Sequence, residues 1–512
     1  MLFNSYEFIF VLLPISVFFF YFLGNRIGGT APIFWVVCCS LFFYGWWNPS
    51  YLLLILVSIV FNFLVGTTLS RQARHGQASR GLVTFGVVAN LATIGYFKYA
   101  MFFVDNVNTL TGSEYNIGNI ILPLAISFFT FQQITFLVDS YKGEAEEYNF
   151  VQYCVFVSFF PQLIAGPIVH HSEMMPQFHR PDLYRLDWRN IALGLAIFSI
   201  GLFKKAVLAD GIAAHGTSVF AAAAEGETLD FLTAWGGALS YTFQLYFDFS
   251  GYSDMAVGGA RMFGIRLPLN FNSPYKATNI VDFWRRWHMT LSRFLRDYVY
   301  IPLGGNRHGA ARRHGNLLFT MLVGGLWHGA GWTFVIWGGL HGLYLIVNHL
   351  WHALRRRLNG GAPPEPSWLG QRAGQTLTFL AVIVGWVFFR ATTLDGAVRM
   401  IEGMAGLNGV SVPVAAIYVL GPLGPWLREA GLGFVPGGGA EFAATWVWIV
   451  VLLVVALTAP NSQQLVGLDE RARPSARLLW RPALPWAVGT AAVLAGGILA
   501  LPQVSEFLYF QF

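Results

Sequence analysis

Three apolar runs follow one another at the start of the chain: FIFVLLPISVFFFYFL (Phe8 to Leu23), APIFWVVCCSLFFYGWW (Ala31 to Trp47) and YLLLILVSIVFNFLVG (Tyr51 to Gly66). Each comes close to the roughly 20 residues a helix needs to cross hydrocarbon. Charge is scarce to match. Only 11% of the residues are charged, against about 25% in an average soluble domain, so the solvent this sequence suits is lipid. The first run lacks a basic flank and a small-residue cleavage site, and further spans follow at once, so it reads as a span and not as a removable signal. More spans are expected near residues 82–103, 118–138, 149–169, 191–209, 232–250, 316–336, 337–351, 373–392, 441–459 and 483–501. The stretch 394–440, rich in Gly and Pro, reads as loop around short helices. These readings give an all-α polytopic membrane protein, with residues 1–512 as one membrane domain.

The basic residues set an orientation. Arg71, Arg74 and Arg80, the run starting at Arg355, and Arg471, Arg473, Arg477 and Arg481 lie in short loops, whereas Val104 to Gly118 holds no Lys or Arg. Cytoplasmic loops collect Lys and Arg, so these loops are placed inside and residues 104–118 outside. Topology thus accounts for the net charge of +6 without nucleic acid. Cys38, Cys39 and Cys154 sit in apolar runs as small buried hydrophobes. They show no metal-ligand spacing, and no metal is expected.

Three stretches carry candidate chemistry. NIVDFWRRWHMTLSRFLRDYVYIPLGGNR is too charged to span lipid. Wound as a helix, it puts Asp282, Arg285, Arg286, Met289, Arg293 and Arg296 on one face and Trp287, Leu291, Phe294, Leu295 and Tyr298 on the other. That is an amphipathic helix at a membrane surface or polar cavity. Its arginines suit anionic headgroups or an anionic cofactor. His288 falls at the flank beside Trp284 and Leu295, the place of a core histidine. LLFTMLVGGLWHGAGWTFVIWGGLHG (Leu317 to Gly342) contains no Asp, Glu, Lys or Arg, yet holds His328 among Gly324, Gly325, Gly329 and Gly331. An ionisable ring at such depth needs a compensating reason. His341 has weaker claims. Finally, LYFDFSGYSDMAVG places Asp248 and Asp254 at the end of an apolar run, and NFNSPY, with Asn272, follows. Both stretches fit a polar entrance or structural ion pairing.

Together these blocks resemble the membrane-bound O-acyltransferase family, and within it the bacterial alginate O-acetyltransferase branch. LYFDFSGYSDMA, NFNSPY, FWRRWHMTLSRFLRDYVYIPLGGNR and GGLWHGAGWTFVIWGGLHG are similar to that branch's core blocks, in its order; GYFKYAMFF and FFPQLIAGPIVHH are similar to earlier blocks and FLYFQF to the ending. The resemblance implies a multi-helix bundle with a central funnel or tunnel. It implies catalytic roles at His328 and His288, acetyl transfer from a cytoplasmic donor toward an exported polysaccharide such as alginate, and an extracytoplasmic acetyltransferase partner at the bacterial inner membrane. The donor is expected to be acetyl-CoA, with no bound cofactor. His328 would act as general base, since imidazole titrates near about 6.5, and His288 as an oxyanion donor. Trp284, Arg285, Arg286, Trp287, Asn272 and Asp254 are the candidate donor- and substrate-binding residues. The aromatic tail 506–512 is expected outside, with Tyr509 as either an interfacial anchor or an acyl-accepting nucleophile. Rival readings are D-alanyl transfer, lipid acylation, or a transporter or flippase. For the last, internal repeats and paired broken helices are expected, and the sequence shows neither.

Overall fold

Apolar stretches bounded by capping residues become helices. Ser79 starts Arg80–Ile94 by accepting from the Leu82 N–H, Asp230 starts Phe231–Met262 through the N–H groups of Leu232 and Thr233, and Ser367 starts Trp368–Arg390 through that of Gly370. Such caps satisfy N–H groups that no helix can satisfy from within. In this computed structural model, which describes residues 1–512 except 146–147, 165, 363–366, 418–420, 422, 469–477, 504–507 and 509–512, the architecture is all-α and polytopic. Among the described residues, six helices are long and apolar enough to cross a membrane: Phe8–Arg26, Ser50–Arg74, Arg80–Thr111, Trp188–Glu225, Trp368–Arg390 and Gly439–Thr458. Ala31–Gly45 and Leu484–Ala500 are shorter apolar helices.

The helix Phe231–Met262 forms the centre, buried along most of its length. It lies against Trp188–Phe203 backbone to backbone. A Cβ on Gly201 would meet the Gly251 carbonyl at 2.5 Å, and one on Gly258 would meet that of Gly194 at 2.6 Å. Only glycine permits that approach.

Several helices contain a π-turn, a stretch with one extra residue per turn. Gly95–Tyr99 and Lys204–Ala209 lie in mid-helix, and Arg296–Tyr300 follows a short helix.

Several expectations change. Residues 149–169 do not form one span. Phe150–Ser158 and Phe160–Leu163 are separated at Phe159, and the freed Phe160 N–H donates to Ser40 Oγ at 3.1 Å. The stretch 394–440 is more regular than loop. It holds the helices Leu394–Met404 and Leu423–Glu429, and the strands Val410–Pro413 and Leu432–Val435 pair in parallel.

The basic helix ends gather on one face. Arg80 bonds Tyr141; Tyr298, on the same face, bonds Asp139 and leads into the loop before Arg312 and Arg313. At the opposite face, the hydroxyls of Tyr44 and Tyr51 donate to the Leu124 and Ile121 carbonyls, and Trp332 reaches Asn106.

Candidate functional site between two clefts

The helix Gly309–His328 ends at His328 because the chain runs extended through Gly329 and Gly331 before turning into Trp332–Leu358. The two helices form a tight hairpin. A Cβ on Gly325 would lie 2.2 Å from the Phe334 carbonyl, and one on Gly338 would lie 2.4 Å from that of Met321. His328 therefore sits at the tip of a stiff unit and not on a loop.

The last carbonyls of that helix have partners from a distant element. Tyr99 donates its hydroxyl to the Leu326 carbonyl at 2.6 Å, and Lys98 Nζ donates to those of Trp327 at 2.5 Å and His328 at 3.0 Å. Both side chains come from the π-turn Gly95–Tyr99. A cation at a helix C-terminus also meets the negative end of the helix dipole. Lys98 lies 18 residues from Arg80 and 13 from Thr111, the ends of its helix. At 1.5 Å per residue this is roughly 27 and 20 Å along the axis, so His328 is held in the middle third of the bundle.

The His328 ring is 5% exposed. It packs edge-on to Trp337 and Phe389, each 5.0 Å between centroids, and 6.5 Å from the His288 ring. His288, 0% exposed, has φ 42° and ψ 53°. That left-handed backbone breaks the expected amphipathic helix in two, Ile280–Trp284 and Met289–Leu295. The helical wheel drawn over residues 282–298 therefore fails. Local periodicity favours a helix there, but Asn270 overrides it. Its carbonyl accepts from the Met289 N–H at 2.9 Å, and its Oδ1 accepts from His288 Nδ1 at 3.1 Å and from the Thr290 hydroxyl at 2.9 Å. Because Oδ1 can only accept, the bond fixes the tautomer with the proton on Nδ1 and the lone pair on Nε2. In that tautomer the Nδ1 proton is committed to Asn270 and Nε2 is an acceptor.

Two clefts lie on opposite faces; the first is lined by His328, and the second reaches Thr290, two residues from His288. One is lined by Trp47, Lys98, Pro123, Ser127, Trp327 and His328 and lies toward the face of residues 44–51 and 121–125. The other, toward the basic face, is lined by His170, Glu173, Thr290, Arg293, Asp297 and Tyr298. Thr290 belongs to this second cleft and also bonds Asn270, which bonds His288. A short polar chain thus leads from the basic-face cleft to the imidazole pair.

The remaining sequence candidates divide. Trp284 and Trp287 are buried beside the pair. Trp284 packs edge-on to Trp337 at 5.9 Å and to His341 at 5.2 Å, and Trp287 lies 4.8 Å from Trp386. The indole N–H groups of Trp284 and Trp337 and both ring nitrogens of His341 have no hydrogen-bond partner among the described residues. The other four lie apart from the pair. Arg285 is exposed, Arg286 pairs with Asp282 at 2.9 Å, and Asn272 Oδ1 accepts from Asn461 at 3.0 Å. Asp254 pairs with Lys204 at 2.8 Å. The one-sided arginine face is also dispersed, since Arg293 pairs with Glu173 and Arg296 with Asp297.

A match to the family described as MBOAT, membrane-bound O-acyltransferase, covers residues 138–384 and so includes both histidines. A peptidoglycan O-acetyltransferase of Helicobacter pylori is 42% identical over 100% of this chain and 98% of its own length. The chain belongs to the membrane-bound O-acyltransferase family. Probable alginate O-acetylases AlgI are also similar. That of Pseudomonas aeruginosa is 41% identical over 79% of this chain and 75% of its own, and that of Azotobacter vinelandii is 36% identical over 100% of both. This multi-pass membrane protein is an O-acyltransferase.

In this O-acyltransferase Tyr509 lies outside the described residues, but its neighbour Leu508 is within them. Leu508 is buried, and its N–H donates to Asp248 Oδ2 at 3.3 Å. Asp248 also pairs with Lys205 at 2.6 Å, and Lys205 with Asp210 at 2.7 Å, all three almost fully buried. The ring of Phe249, one residue on, lies 4.8 Å from that of His288.

Sequence reasoning missed Lys98 and Asn270. Lys98 was recoverable as a lone charge in the middle of a span, a functional signal by default. It also missed a cluster near the basic-face cleft. Asp139 Oδ2 lies 2.7 Å from His170 Nε2, 3.1 Å from His171 Nε2 and 2.9 Å from the Tyr298 hydroxyl. These groups are far apart in the chain and leave no local spacing to read. Although Asp139, His170 and His171 are close enough to hold a cation, the carboxylate already accepts from each of these neighbours.

Proposed function

We propose that this O-acyltransferase moves acetyl groups from cytoplasmic acetyl-CoA across the bacterial inner membrane for O-acetylation of an exported polysaccharide. The observation that carries the reading is a buried imidazole pair with one cleft at His328 and a second, on the opposite face, linked to His288 through Thr290 and Asn270. A vectorial transfer needs that geometry, with donor from the basic, cytoplasmic side and acceptor from the other. The relatives' printed activities, peptidoglycan O-acetylation and alginate O-acetylation, support an exported glycan as the final acceptor. An extracytoplasmic acetyltransferase partner that receives the group is part of the same proposal.

His328 acts as the general base. It takes the proton of an attacking hydroxyl as the oxygen bonds to the thioester carbonyl carbon. The C–S bond breaks and the thiolate leaves; with a reference pKa of about 8.5 it needs little acid help. His288, with Nε2 as acceptor, orients the hydroxyl or the His328 ring. The indole N–H of Trp337, buried beside His328, is the better oxyanion donor. Arg285 and Arg286, at the basic end, are suited to the donor's phosphates.

The attacking hydroxyl is proposed to be that of Tyr509. The burial of Leu508 against Asp248, one residue from Phe249, whose ring lies 4.8 Å from that of His288, supports this choice. A phenol, with a pKa of about 10, is easier to activate than a sugar hydroxyl, and its ester stays reactive. The test is vesicle-reconstituted protein given labelled acetyl-CoA on one face, without partner. Label should appear on the C-terminal peptide of the wild type and be absent from Tyr509→Phe. If Tyr509→Phe restores polymer acetylation at the normal rate in cells, the relay is wrong and the tail is an anchor.

A further inference from the structure

A separate cleft opens on the basic face, away from the histidines. Its walls are the segment around residues 180–190, the end of the helix Phe231–Met262 and the turn at Val466–Leu468. Four guanidiniums, from Arg180, Arg189, Arg261 and Arg266, line it against two carboxylates, Asp182 and Asp187. Arg180 pairs with Asp182 at 3.4 Å. Arg189, Arg261 and Arg266 have no ion-pair partner among the described residues, and Arg261 Nε is buried with no hydrogen bond there. Arg180, Arg189 and Arg266 all act on Arg261 as like charges, opposed by Asp187. Gln177 ties this cleft to the basic face, bonding both the Arg266 carbonyl and that of Glu173.

Crowding guanidiniums while removing one from water is costly unless an anion compensates. The planar forks suit an oxyanion with several oxygens, a phosphate above all. We propose that this cleft binds a phosphate-bearing anion, with a phospholipid headgroup as the source its position favours. The adjoining lobe is edged by Trp188, 73% exposed, and Leu186, the kind of apolar rim that sits at headgroup level. Beside the cleft, Phe263 precedes its lining residue Gly264, and Phe20, Phe159, Phe160 and Phe263 pack ring against ring at 5.3 to 6.1 Å.

The experiment is native mass spectrometry of the full chain in detergent, titrated with phosphatidylglycerol, phosphatidylcholine or CoA. Wild type should hold one phosphatidylglycerol that Arg261→Gln/Arg266→Gln binds at least tenfold more weakly, as expected for lost charge-assisted bonds. Asp187→Asn should bind it more tightly, a gain that misfolding cannot produce. Phosphatidylcholine should bind wild type more weakly than phosphatidylglycerol. Loss of CoA binding in the same double variant, with phosphatidylglycerol unaffected, would keep the phosphate site but replace the lipid by the donor. If neither ligand distinguishes the double variant from wild type, the proposal is overturned. The readout is binding alone, so it stands or falls apart from acetyl transfer.

Discussion

The two histidines at the centre of this enzyme are buried alike and built differently. His328 ends a helix inside a glycine-packed hairpin, and the fixed backbone around it does the positioning. His288 occupies a left-handed break in a charged segment, where one asparagine side chain does the positioning. The first device is robust to its side chain and sensitive to its glycines. The second stores strain at the residue itself, since a non-glycine left-handed backbone persists only where its surroundings over-determine it.

The largest expected effect lies in the hairpin. His328→Ala should lower acyl transfer by about 10²–10⁴-fold, the usual worth of a general base, while membrane expression stays normal because the hairpin backbone is untouched. Lost expression would mean that the ring holds the fold. Next, Gly338→Ala should lower the thermal transition by destabilising the hairpin by about 1–3 kcal/mol, the cost of overpacking. Its new Cβ meets a backbone carbonyl. An unshifted transition would show that the hairpin is looser than described.

The segment around His288 is sharpened by a pair of substitutions. His288→Asn tolerates a left-handed backbone, whereas His288→Val does not. Val should therefore cost at least about 1 kcal/mol more in stability, of the order of a single left-handed residue. Equal stabilities would mean that the break relaxes. Lys98→Met removes the cation at the His328 helix end and should destabilise by about 0.3–2 kcal/mol, with slower turnover at unchanged expression. The smallest effect is expected from Arg285→Gln. This exposed residue should alter only the apparent affinity for a CoA analogue, and no change would leave it as a headgroup anchor.

The contrast also marks what was legible. Helices such as Ser50–Arg74 and Trp368–Arg390 can be read because lipid imposes a long apolar run with few alternatives. His328 stands out because the stretch Leu317 to Gly342 around it holds no Asp, Glu, Lys or Arg. The reading failed where distant residues decide the local backbone. Asn270 outweighs the periodicity of residues 282–298, and Ser40 satisfies the backbone group freed at Phe160. Lys204 and Lys205, both inside the expected span 191–209, go to different buried carboxylates, Asp254 and Asp248, across a helix interface. Such partners lie tens to hundreds of residues away and leave no pattern in a local window.

The π-turn at Gly95–Tyr99 has a meaning in the currency of insertions and deletions. One extra residue in a turn is what a single-codon insertion leaves behind when a helix absorbs it without unravelling. Excising one residue there would restore the regular ladder and rotate everything beyond it by about 100°. Arg80–Ile94 would keep its neighbours, but either Lys98 and Tyr99 or the Trp332 contact with Asn106 would swing away from the hairpin. In this part of the chain, substitutions can be absorbed one at a time, whereas a change in length is read at both ends of the helix at once.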